Sequence, residues 1–147
     1  MAQIKPRNVV AGFRFKVELD GIQVAGFSEV TGLQAEIEYE EYKEGGVNIF
    51  TYRFPKHAKY PPLVLKRGVS NGDELWKWFL NTRDGKIQKQ SGAVIMYDKK
   101  DHELCRWTFV DAYPVKWSGP DLNATQSSLA IETIELVHQG LKFIKGK

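Results

Sequence analysis

The chain has 147 residues, enough for one domain with a real core, and its 42% hydrophobic and 27% charged content is that of an ordinary globular protein. A net charge of +3, with acidic and basic residues interspersed, lacks the concentrated basic surface of a nucleic-acid binder. One cysteine, Cys105, excludes an internal disulfide framework and suits a reducing compartment.

The N-terminal stretch lacks the apolar core of a signal peptide, and no apolar run approaches the ~20 residues that span a bilayer. Synthesis and assembly in the cytoplasm are therefore expected, with no membrane insertion by the monomer.

From the N-terminus, Phe13, Phe15, Val17 and Leu19 alternate with charged residues, the period-two pattern of a half-buried strand. Asp20-Gly21 supplies a tight turn, and Ile22 to Val30 reads as the return strand with a bulge at Gly26. Leu33, Ala35, Ile37 and Tyr39 then alternate with Gln34, Glu36, Glu38 and Glu40, and Leu33, Ala35 and Ile37 are expected to be buried. Gly45-Gly46 interrupts this strand, and Ile49 to Phe54 resumes it. Pro55 and Pro61-Pro62 are expected to bracket a basic loop before the short strand Leu63 to Gly68.

One helix is predicted at about 71–83, capped by Ser70 or Asn71 and stopped by Asp84-Gly85. Leu75, Trp76, Phe79 and Leu80 are read as its core face, with Trp78 pointing elsewhere as a candidate interface anchor. Further strands are predicted at Ala93 to Asp98, Glu103 to Trp117 and Ser127 to His138, with a polar turn at Lys99 to Asp101. The fold class is mainly β, antiparallel sheets arranged as a barrel or sandwich, in a single domain.

Catalytic constellations are missing from this sequence. It has no phosphate loop, no dinucleotide fingerprint and no Gly-x-Ser-x-Gly elbow. His57, His102 and His138 lie far apart, without Cys or carboxylate at metal-ligand spacing. His138 and Glu135 fall on opposite strand faces, and Cys105 in an alternating strand reads as an inert buried thiol. No catalytic residue, metal or cofactor is expected.

Four stretches carry a family resemblance. They are Tyr39-Glu-Glu-Tyr-Lys-Glu-Gly-Gly, Leu63-Val-Leu-Lys-Arg-Gly, the run from Trp107 through Ser118-Gly-Pro-Asp to Thr125, and Ala130-Ile-Glu-Thr-Ile-Glu-Leu-Val-His. In this order the chain resembles the tail tube proteins of contractile-tail bacteriophages and related contractile injection systems.

The resemblance implies a tail-tube fold and six-subunit rings that stack into an inner tube. It also implies a sheath protein, baseplate and tube-capping proteins as partners, and cargo protein or DNA passing through the lumen without sequence-specific binding. The loop Tyr42, Lys43, Glu44, Gly45, Gly46, Val47 and Asn48 reads on its own as a hairpin connection; the resemblance makes it an inter-ring contact.

Glu36, Glu38 and Glu40 leave three readings open. They form a solvated face, or they line the channel, or they pair with Lys56, Lys59, Lys66 or Arg67 of a neighbouring subunit. Two alternative functions also stay open. One is a baseplate–tube adaptor of the same fold; the other is a monomeric ligand-binding β-barrel.

Overall fold

The computed structural model describes residues 13–20, 22–24, 26–43, 51–69, 72–125 and 129–146. The expected helix cap at Ser70 or Asn71, the loop residues Glu44 to Asn48, the strand start at Ile49 and Ser127 lie outside these residues.

The elements in order are β1 (Arg14–Leu19), β2 (Ile22–Val24), β3 (Phe27–Thr31), β4 (Glu36–Lys43), β5 (Thr51–Lys59) and β6 (Leu63–Gly68). There follow α1 (Glu74–Arg83), β7 (Gln90–Tyr97), β8 (Glu103–Ser118), β9 (Ile131–Val137) and β10 (Gly140–Lys145). The main sheet runs β2-β1-β7-β8-β9-β6-β3, with β10 also on β8; β4 and β5 pair separately. All pairings are antiparallel, as the alternating sequence predicts.

The long strand β8 serves two layers. Its first half pairs with β7 and β10, and its second half, Tyr113 to Ser118, pairs with β9. Asp111 sits between them at φ 52, a conformation uncommon outside glycine, where the strand changes neighbours. Between the layers Val17, Leu63, Leu65, Phe109, Ile134 and Leu136 are fully buried. Each such side chain contributes roughly 1.5–3 kcal/mol of burial. Close approach here needs Gly92, because a Cβ at that position would stand 2.2 Å from the Glu18 carbonyl oxygen.

Four expectations are corrected. The return strand after Asp20 divides into β2 and β3 about Gly26, whose φ of 91 breaks the ladder and sends the halves to different partners. The strand through Phe54 does not stop at Pro55 but runs to Lys59. Pro55 is tolerated because the β4–β5 ribbon has only outer edges and its register shifts between Ile37 and Tyr39.

The helix starts at Glu74 behind Asp73, and its buried residues are Leu75 and Trp78, three apart on one face. Trp78 is 5% exposed and Trp76 38%, the reverse of the expected assignment. The Trp78 indole can be buried because its Nε1 donates to the Gln88 carbonyl at 2.9 Å. Finally, β9 begins only at Ile131, and the unanticipated β10 follows it.

Candidate functional site

Strands β3 and β4, with β5 and β6, form one long hairpin in two parts. The proximal part, β3 against β6, is held in the main sheet by β9. The distal part, β4 against β5, pairs with no other strand among the described residues. The parts meet at Gly32, where φ is 95 and a Cβ would be 2.2 Å from the Pro62 carbonyl oxygen. That close crossing of the two backbones admits only glycine.

Every residue of β5 is exposed, and of the β4 side chains described Glu38 alone is half-buried. The expectation that Ala35 and Ile37 are buried is therefore wrong for the single chain: Ala35 is exposed and Ile37 is 59% exposed, as is Tyr39 beside it at 56%. Their alternation marks a surface, but among the described residues no layer covers it. Leu33, at the base, does reach the core edge.

Cross-strand register defines the two faces. On one, Glu36 opposes Lys59, Glu40 opposes Phe54, and Tyr42 opposes Tyr52. Glu38 lies 3.3 Å from His57 Nε2 and 3.7 Å from Lys59 Nζ, so the acidic row is partly neutralised within its own hairpin. Tyr52 and Phe54 stack at 6.5 Å between ring centroids. On the other face Ile37 opposes Ala58, Tyr39 opposes Pro55, and Glu41 opposes Arg53. The Arg53 guanidinium sits 5.4 Å over the Tyr39 ring, and its Nε is 3.6 Å from Glu41. Of the tip, Tyr42 is exposed and Lys43 ends β4; Glu44, Gly45, Gly46, Val47 and Asn48 are outside the described residues.

The suggestion that Arg67 serves a neighbour's acidic face is corrected, whereas Lys66 stays partly exposed. Lys66 pairs with Glu29 at 3.3 Å in its own chain. Arg67 is buried and paired with Glu132 and Glu74. Burial opposes its charge, but the hydrogen bonds it donates to Glu74 and Glu132 outweigh that and raise its pKa. Trp117 completes this cluster by donating Nε1 to Glu132 at 3.2 Å.

A second surface was not anticipated from sequence. An open groove of about 420 Å³ lies between β1, β3, β7 and β8, lined chiefly by Phe13, Phe15, Val30, Leu33, Met96 and Trp107. Its signal was present in the alternation of β1. Burial along that face grades from Phe13, 54% exposed, to Val17, fully buried, so the outer end remains uncovered.

Reactive groups are held inert. The Cys105 thiol is buried and its pKa is raised by burial and by Glu103, which keeps it protonated. His138 is buried against Tyr60 and Phe109, with Nδ1 3.1 Å from the Gly140 carbonyl oxygen. Burial lowers its pKa despite the carbonyls of Gly140 and Pro61, so it is neutral near pH 7. Among the described residues no group of three His, Cys, Asp or Glu is placed to hold a metal ion, and no helix is long and apolar enough to cross a membrane.

Exposed apolar surface of this extent, on a hairpin and in a groove, is a feature of proteins that bind other chains. No curated protein matches the sequence. Among solved structures, the chain is similar to one in the tube-terminating cap of the anti-feeding prophage, with a TM-score of 0.87 and 22% identity over 99% of this chain and 97% of that one. It is similar to a chain of the sheath-tube complex of an extracellular contractile injection system in the extended state, at TM-score 0.85 and 20% identity over 95% and 93% of the two chains. A chain of the anti-feeding prophage baseplate matches at TM-score 0.77 and 23% identity, over 97% and 98%. A family model described as T4-like virus tail tube protein gp19 matches residues 11–142, and the chain belongs to that family of structural tube proteins.

Proposed function

We propose that this chain is the inner-tube subunit of a contractile tail or injection particle, forming six-subunit rings that stack about a central channel. The observation that carries this is the β4–β5 hairpin, which projects with aromatic and aliphatic side chains uncovered on both faces. A two-stranded hairpin is marginal alone in water, so packing against neighbouring subunits gives it the support its own chain lacks. Membership of the tube family and likeness to chains of tube, cap and baseplate assemblies support the same reading.

In this arrangement the tip from Tyr42 to Asn48 contacts the adjacent ring. Glu36, Glu38 and Glu40 face the channel, where water screens those carboxylates not paired with His57 and Lys59. Cargo protein or DNA passes without sequence-specific contact. Sheath, baseplate and capping proteins are the external partners, in a particle assembled in the cytoplasm. The subunit carries no turnover and needs no cofactor. Head-to-tail contacts between rings do not close on themselves, so they propagate a filament.

A second reading is favoured by the high similarity to the terminating cap: an adaptor or cap that makes a ring without extending it. Size-exclusion chromatography with negative-stain microscopy separates the two. Tubes support the inner-tube reading, isolated rings support the adaptor, and a monomer at high concentration contradicts both. Gly45→Pro and Gly46→Pro are expected to leave rings intact and block stacking, since proline fixes φ and removes a donor in the contact loop.

A further inference from the structure

The β4–β5 hairpin leaves the main sheet at two points. One is Gly32; the other is the corner of residues 60–62 between β5 and β6, whose Pro62 carbonyl oxygen Gly32 approaches. Against that corner lies His138, in the link between β9 and β10 and only 6% exposed. Its ring stands 5.5 Å from the Tyr60 ring and 6.2 Å from that of Phe109, so one imidazole joins the hairpin corner to the core. Nδ1 is 3.1 Å from the Gly140 carbonyl oxygen. A carbonyl only accepts, so Nδ1 carries the proton of the neutral ring and the lone pair sits on Nε2. Nε2 is buried and has no hydrogen-bond partner among the described residues. Charges on the surrounding elements do not serve it: Lys59 of β5 is held by Glu38, Glu135 of β9 by Lys116, and Asp111 of β8 and Lys142 of β10 are exposed. Tyr60 is the titratable group in ring contact with it.

We propose that His138 is a pH-sensitive latch at the base of the hairpin: the neutral ring holds the corner at Tyr60 against the core, and protonation at Nε2 releases it. A buried imidazolium without a counter-charge is costly. The Pro61 carbonyl beside the ring offsets only part of that cost, as the lowered pKa of His138 records. Lifting the corner lets water reach Nε2 and relieves the cost. Leu63, fully buried just beyond the corner, stays as the anchor, so the hairpin swings while β6 keeps its place. Where the hairpin is the surface through which rings form, acid then disfavours assembly. That consequence rests on the assembly reading above; the latch itself does not.

The test is hydrogen exchange of the full unassembled chain, each rate referenced to the unfolded chain at the same pH. From about pH 7.5 to about pH 5, the amides from His57 to Tyr60 should lose protection about tenfold, with the weak urea dependence of a local opening. His138→Phe should keep its protection in acid, and His138→Gln serves as the second non-titrating variant if that one is unstable. Corner amides already unprotected at about pH 7.5, or a loss with the full urea slope of global unfolding, would overturn the latch. So would an acid response that persists in the His138 variants, or one removed by His57→Gln, since His57 is the exposed histidine paired with Glu38 on the same hairpin. Sedimentation supplies the second arm: the assembled fraction of the wild type should fall about tenfold in acid and that of the His138 variants should not. An equal fall in the variants also overturns the proposal. A wild type that forms no rings at either pH defeats the assembly reading, and hydrogen exchange alone then decides the latch.

Discussion

The indole Nε1 of Trp117 donates to Oε2 of Glu132 at 3.2 Å, while Oε1 of the same carboxylate receives the buried Arg67 guanidinium. Arg67 also reaches Glu74 at 2.5 Å, so one cation ties β6 to β9 and to the first turn of α1. Removing one partner of a buried pair leaves an uncompensated charge. Glu132→Ala is expected to destabilise the subunit by about 3–5 kcal/mol in urea unfolding. Glu74→Ala should cost much less, because Glu74 is half exposed to water. Equal effects from the two would contradict this account of the cluster.

Trp78→Ala should cost about 3–5 kcal/mol, since it empties a buried site and leaves the Gln88 carbonyl without its donor. Trp76→Ala should cost clearly less. Trp76 lies at the helix flank, 5.9 Å from Phe79 and 4.7 Å from Trp117, and is partly solvated. Thermal melts of the two variants check the order.

Stability should fall as pH falls, in two steps. His138 has a folded pKa below its ordinary value of about 6.5, so the unfolded chain binds the proton more readily. Its contribution is complete above that value and is lost as pH drops beneath it. Glu74, held low by the Arg67 hydrogen bond, acts with the same sign from the ordinary carboxylate range downward. His138→Phe should flatten stability between about pH 6.5 and pH 5 without touching the lower step. An unchanged slope in that variant would assign the upper step to another group.

Ile37→Asp should leave subunit stability within about 0.5 kcal/mol, because the side chain is already exposed in the single chain. Assembly should be lost. Calorimetry of the unassembled protein together with sedimentation separates these effects, and a large loss of stability would mean that the hairpin packs on its own subunit.

Cys105→Ser should lower stability by on the order of 1–3 kcal/mol, by placing a hydroxyl at a buried site. Assembly should survive at moderate temperature, also with a strong chelator present. Loss of assembly on chelation would expose a metal requirement.

Much of the fold was legible in local pattern. The alternation of Val17 and Leu19, and of Ile134 and Leu136, marks strands whose inner faces are indeed buried. The helix face was not legible, because Leu75, Trp76, Trp78, Phe79 and Leu80 are all apolar and only the acceptor at Gln88 decides which tryptophan turns inward. Arg67 alternates with Leu63 and Leu65 on the buried face, yet its charge suggests exposure until Glu132 and Glu74 are placed beside it. β10 escaped because only His138 and Gln139 separate it from β9, without proline or glycine before Gly140. The hairpin shows the deeper limit. Period two places Ile37 and Tyr39 on one face, but it does not report that this face is exposed in the single chain.

The most direct test of the central claim is a cryo-EM reconstruction of the assembled wild-type protein. The account predicts six-fold rings in which β4 and β5 are buried against neighbouring subunits, with Glu36, Glu38 and Glu40 on the channel wall. Rings in which the hairpin stands free in solvent, or in which those three carboxylates lie on the outer wall, would contradict it.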